Sequence, residues 1–227
     1  MRLPGAIALV ALAALAAGLA GSATAHSPNG TATYVRVRPD PRLCPSPMCG
    51  GWWVRRVNRA TIVCGNGMVS PECYAATSDF TGLDLTAEER STVDQALARG
   101  TALLRGRLVR GTLASPPPSV KLDVLSVTEI WLRYGRAQTS GSVFRVEDNG
   151  VRCVRAPCFS LHASVLNTTQ HRDVSSLGLA AAGANAAAVR RARAALEGTG
   201  VMVEGRAVAS ADGGRTLRAS AFSLRAV

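Results

Sequence analysis

The chain has 227 residues with 26 basic and 15 acidic side chains, a formal charge of +11, and Lys121 as its only lysine. A hydrophobic fraction of 47% excludes a natively disordered chain, and the length suits one or two ordinary domains. The charge admits a polyanion partner, but the arginines are scattered rather than clustered, which argues against nucleic acid, and an arginine and alanine bias also fits a GC-rich bacterial genome.

Residues 1–25 read as an export leader. Arg2 gives the positive start, Ala6 to Leu19 the apolar run, and Ala23-Thr24-Ala25 the small-x-small pattern of a cleavage site. Cleavage is expected near Ala25, leaving a flexible mature N-terminus over 26–33 and a product that is secreted or held in an envelope space. Spanning a bilayer takes about 20 apolar residues, and this run is shorter and interrupted by glycine. No transmembrane segment is expected in the mature chain.

Cys44-Pro45-Ser46-Pro47-Met48-Cys49 recurs as Cys153-Val154-Arg155-Ala156-Pro157-Cys158 at an offset of 109 residues (44 to 153). Tyr34 to Val37 lies over Val143 to Val146, Trp52-Trp53 over Leu161-His162, and Val57-Asn58 over Leu166-Asn167, at the same offset. Further on, Gly106-Arg107 and Gly205-Arg206 correspond at an offset of 99 (106 to 205). A tandem organisation is therefore expected, with a first repeat over 34–134, a linker over 135–142 and a second repeat over 143–227.

In the first repeat, Tyr34 to Arg38 alternates apolar and basic residues and Trp52 to Asn58 continues in strand-like fashion, so the segment from Cys44 to Cys49 is the bend of a hairpin. Thr86 and Glu89 form a capping box before a helix with Val93, Ala96 and Leu97 on one face, ended by Gly100. Leu103 to Val109 and Val120 to Trp131 make a second hairpin across the rigid turn Ser115-Pro116-Pro117-Pro118-Ser119. The second repeat follows the same plan: strands over Val143 to Val146 and Phe159 to Asn167, a helical stripe of Val189, Ala192 and Leu196, then Val201 to Ala209 and Thr216 to Leu224. The expected fold class is α+β, two tandem ββαββ repeats, each an antiparallel sheet with one helix. Whether the two sheets join stays open at this point.

Six cysteines, an even number, in an exported chain imply disulfides. The repeat selects Cys44 with Cys49 and Cys153 with Cys158, leaving Cys64 with Cys73 in an insertion that the second repeat lacks. Rings this small contribute about 2 to 3 kcal/mol each, as local staples. Zinc on four thiolates is the competing reading, and the oxidising route argues against it. No metal or cofactor is expected.

At Cys44 to Gly51 and Val151 to Cys158 the chain resembles a family of exported bacterial proteins grouped as a domain of unknown function. The resemblance implies secretion and carries over no catalytic residue. At the level of architecture, a stapled tandem α+β chain also resembles secreted bacterial inhibitors of extracellular enzymes.

Catalytic groups are sparse. His162 occupies the position of Trp53 in the other repeat, which reads as packing, and His171, Asp173 and Ser175 stand too close along one extended chain to act together. Asp84, Glu88 and Glu89 read as helix capping and surface charge, and Asp148-Asn149-Gly150 as a turn. No catalytic residue is assigned.

A binding or inhibitory module acting on an extracellular protein is the first functional reading. A structural or envelope-associated protein binding acidic surface polymers is the second, with weak association with an anionic envelope, and a hydrolase with an unrecognised site is the third. The expected binding residues are Trp52, Trp53, Arg55 and Arg56, directly after the first staple. Neighbouring strand residues point to opposite faces, so only one of the two tryptophans can enter the same core. Aromatic and arginine side chains beside a rigid loop are the usual anchors of an interface.

Overall fold

The computed structural model describes residues 31–113, 119–135 and 141–226. The predicted leader, residues 115–118 of the predicted turn and residues 136–140 of the predicted linker lie outside them.

Strands β1 (Thr33–Pro39) and β2 (Trp52–Arg56) pair antiparallel around the first staple, with Pro39 opposite Trp52 and Arg36 opposite Arg55. A two-stranded excursion, β3 (Ile62–Val63) and β4 (Val69–Ser70), leads to β5 (Cys73–Asp79). Helix α1 (Ala87–Ala98) starts at the expected capping box: the Glu89 amide donates to the Thr86 hydroxyl, and the Thr86 amide to the Glu89 carboxylate. It buries Val93, Ala96 and Leu97. Strands β6 (Ala102–Leu113) and β7 (Val120–Gly135) complete this half.

The second half contains β8 (Ser142–Asp148), β9 (Leu161–Val165), β10 (His171–Val174), β11 (Ser176–Gly178), a 3-10 turn over Ala180–Ala182, α2 (Ala186–Ala195), β12 (Val201–Ala209) and β13 (Arg215–Arg225).

The expected pair of ββαββ repeats is corrected by the strand pairing. The fold is mostly β: eleven strands form one hydrogen-bonded sheet, chiefly antiparallel, with only two short α-helices among the described residues. Strand β5 lies between β2 and β7, antiparallel to the first and parallel to the second. Since β7 also pairs with β6, and β6 with β1, the first half closes on itself as a five-stranded ring. The second half closes similarly through β8, β9, β10, β11, β13 and β12, with β11 parallel to β13 and the kink at Ser175 bonded to Arg215. Antiparallel pairing of Trp131 to Gly135 in β7 with Ala221 to Arg225 in β13 joins the halves into the single sheet. Ring closure removes the unpaired edges that two open sheets would leave, which is the physical reason for the extra strand before each helix.

Each ring encloses a core. In the first, Val35, Val54, Leu104, Leu125 and Ile130 pack under α1; in the second, Val146, Ala163, Val203, Leu217 and Phe222 pack with α2. A third cluster, Val57, Leu103, Trp131, Val143, Leu166 and Met202, draws on both halves and fills the junction. Gly106 and Gly205 sit at bulges in β6 and β12, where a Cβ would stand 2.4 Å from the Ser126 carbonyl oxygen and 2.0 Å from that of Arg218. Only glycine fits so close a backbone approach.

Candidate functional site

Three disulfides are present: Cys44 with Cys49, Cys64 with Cys73, and Cys153 with Cys158. Disulfides of this kind persist in oxidising compartments. No helix among the described residues is long and apolar enough to cross a membrane. No group of three or more metal-ligating side chains is assembled among them either.

The first staple is bound into a polar and aromatic cluster. The Tyr74 hydroxyl donates to the Pro47 carbonyl at 2.9 Å and accepts from the Gly51 amide, fastening the loop to β5. Asp40 takes Arg42 through both carboxylate oxygens at 2.9 Å and also accepts from the Trp53 indole N–H at 3.2 Å. The Arg42 hydrogen bonds, against the opposing effect of burial, hold the Asp40 carboxyl at about 2, below the ordinary 3.8. The guanidinium carbons of Arg38 and Arg42 lie 5.5 Å and 5.1 Å from the Trp53 ring centroid, cation–π distances that fix the indole in place.

Strand alternation separates the two tryptophans. Trp52 packs against the first core beside Val54, whereas Trp53 faces outward into the arginine cluster. Beyond Trp53 opens a cleft of 660 Å³ whose cationic wall is Arg36, Arg55, Arg56 and Arg59. Glu72, paired with Arg38 at 2.7 Å, and Val143 of the second half also line it. The expected binding residues Trp53, Arg55 and Arg56 are therefore brought together here, and Trp52 is not.

Arg36 and Arg59 were not singled out in the sequence. The register of the stapled hairpin sets Arg36 directly across from Arg55, and that register is the signal from which Arg36 could be found. Arg59 arrives because the chain turns at Asn58, whose φ is 55°.

Electrostatically the wall is an unbalanced arrangement. Like charges directly opposite on neighbouring strands are destabilising, and Arg36 with Arg55 is such a pair. Burial, with Arg133 and Arg55 nearby, pushes the Arg36 guanidinium below its ordinary pKa, while its ion pair with the buried Glu204 opposes that shift. Burial and neighbouring Arg59 lower Arg56 likewise. The Arg56 Nε is shielded from solvent yet has no hydrogen-bond acceptor among the described residues. A shielded guanidinium N–H without an acceptor is costly to folding, and violations of this kind concentrate at functional sites. Chemically, the arrangement can take up an oxyanion.

At the matching positions the second half carries Ser164, Val165 and Thr168 in place of Arg55, Arg56 and Arg59. His162, at the position matching Trp53, instead bonds Asp173 at 2.9 Å, with the His171 ring 5.1 Å away.

Fold and site thus define a disulfide-bonded, mostly β protein with a cationic cleft. Residues 33–226 match the family described as Domain of unknown function (DUF6748), and the chain belongs to that family. No curated protein and no solved structure matches the chain.

Proposed function

We propose that this chain is an exported bacterial binding module, built from two tandem copies of one stapled unit, that recognises an extracellular protein through the cleft between Trp53 and Arg59. The observation that carries this reading is Arg56, half-buried in a cleft rich in guanidinium groups, whose side chain has no ion pair and no hydrogen-bond acceptor among the described residues. A partner's acidic group supplies that guanidinium with a counterion on binding, and Trp53, already immobilised by Arg38, Arg42 and Asp40, offers a rigid aromatic face at little entropic cost. Export is supported by the leader-like residues 1–25 and by the three disulfides; duplication is supported by the correspondences at offset 109.

A second reading, association with acidic polymers of a cell envelope, is favoured by the formal charge of +11. Partner capture from culture medium by the mature protein tests the first reading. Trp53→Ala is expected to lose the captured protein with a smaller fall in melting temperature than Trp52→Ala, which removes a side chain packed on the first core. Capture equal to wild type by Trp53→Ala would place recognition elsewhere.

A further inference from the structure

The walls of the cleft specify more than a single charge. The cations come from β1 (Arg36), the end of β2 (Arg55, Arg56) and the turn after it (Arg59), so they are spread over the cleft rather than gathered at one point. Two of them already have internal work. Arg36 shares Glu204 with Arg133, and Arg59 donates through Nε to the Asn167 carbonyl at 2.9 Å, which fixes its head group while leaving its other N–H groups. Arg55 is exposed, and Arg56 is half-buried with no ion pair and no hydrogen-bond acceptor among the described residues.

Beside these guanidiniums lie accessible apolar surfaces, the half-buried Trp53 ring, Ala60 and Pro71. An isolated inorganic anion gains nothing from apolar walls. A polypeptide with neighbouring acidic side chains does, because its methylene stems and backbone lie against them while successive carboxylates meet successive guanidiniums in forked pairs. The cleft volume of 660 Å³ also exceeds what one small anion fills.

We infer that the cleft binds a short run of consecutive Asp or Glu side chains on an extracellular protein, with Arg56 as the central anchor. This inference rests on the reading of the chain as a protein-binding module.

The test is titration of the mature protein with hexaglutamate, with inorganic phosphate and a short polyphosphate as competing probes, at low and physiological salt. Hexaglutamate is expected to bind saturably, more weakly as salt rises. Arg56→Gln is expected to weaken it about tenfold or more, the loss of a charge-assisted pair, at unchanged melting temperature. Arg190→Gln, on the exposed face of α2, is expected to bind as wild type. Should Arg56→Gln unfold, the surface double variant Arg55→Gln/Arg59→Gln carries the same expectation. Equal affinity of wild type and the cleft variants overturns the inference, as does tighter binding of either phosphate probe, or no saturable binding of hexaglutamate at low salt. If hexaglutamate fails while a protein is still captured through Trp53, the inference falls and the binding-module reading stands. If hexaglutamate binds but no protein is captured, the reverse holds.

Discussion

Asn58 and Asn167 each reach across the junction and bond the backbone of the opposite half in the same way. Asn58 accepts from the Val143 amide at 2.9 Å and donates to the carbonyls of Val143 and Leu166 at 2.7 Å and 3.1 Å. Asn167 accepts from the Tyr34 amide at 2.8 Å and donates to the carbonyls of Tyr34 and Val57 at 2.7 Å and 2.8 Å. Both residues hold a positive φ, 55° and 61°, a conformation asparagine tolerates better than most. Every partner of one lies 109 residues from the matching partner of the other (34 to 143, 57 to 166), so the exchange has an internal two-fold character.

Asn58→Ala and Asn167→Ala are each expected to destabilise the chain by about 2 to 4 kcal/mol, since backbone groups at the junction lose their partners and alanine adds strain at positive φ. The glycine variants relieve the strain alone and are expected to be milder by about 1 kcal/mol. Urea denaturation checks both. Equal losses for alanine and glycine would show that φ contributes nothing.

Glu204 is buried at the junction and takes both Arg36 and Arg133. Glu204→Gln removes the charge and leaves two half-buried guanidiniums without their counterion, an expected loss of about 3 kcal/mol or more. Because Arg36 also lines the cleft, the same variant is expected to alter anion binding there, which titration of the folded variant measures.

Reduction should proceed in order of access. Cys153 is exposed at its loop, Cys49 is buried beside an exposed Cys44, and Cys73 lies in the first core with Cys64 packed against it. Graded reductant followed by alkylation and mass spectrometry is expected to open Cys153–Cys158 first and Cys64–Cys73 last. Loss of Cys64–Cys73 before the other two would contradict the burial of Cys73.

Asp40 gives the first staple an acid limit. A carboxyl depressed in the folded state stabilises that state fully above its unfolded pKa, ordinarily 3.8, and the contribution is lost as pH falls through about 2. The Trp53 indole N–H resonance, which reports the bond to Asp40, is expected to hold steady down to that window and to shift with a midpoint near 2. A midpoint at 3.8 would mean that Arg42 does not hold the carboxylate.

Local signals carried much of this architecture in the sequence. The Thr86 and Glu89 capping box, the stapled hairpin of β1 and β2, and the opposite facing of Trp52 and Trp53 depend on residues close along the chain. Ring closure does not. The partner of β5 in β7 is distant and parallel, and β10 and β11 are short strands broken at Ser175 with no apolar run to announce them. Without those strands each half reads as ββαββ. The cleft was legible in part: Trp53, Arg55 and Arg56 stand together in sequence, while Arg36 enters only through strand register and Arg59 through the left-handed turn at Asn58.

The central claim, recognition of an acidic partner through the cleft at Arg56, is tested most directly by capturing protein from culture medium with wild type, Arg56→Gln and Arg190→Gln side by side, each checked for melting temperature. The account expects wild type and Arg190→Gln to retain the same acidic protein and Arg56→Gln to lose it while remaining as stable. Equal retention by all three proteins would contradict it.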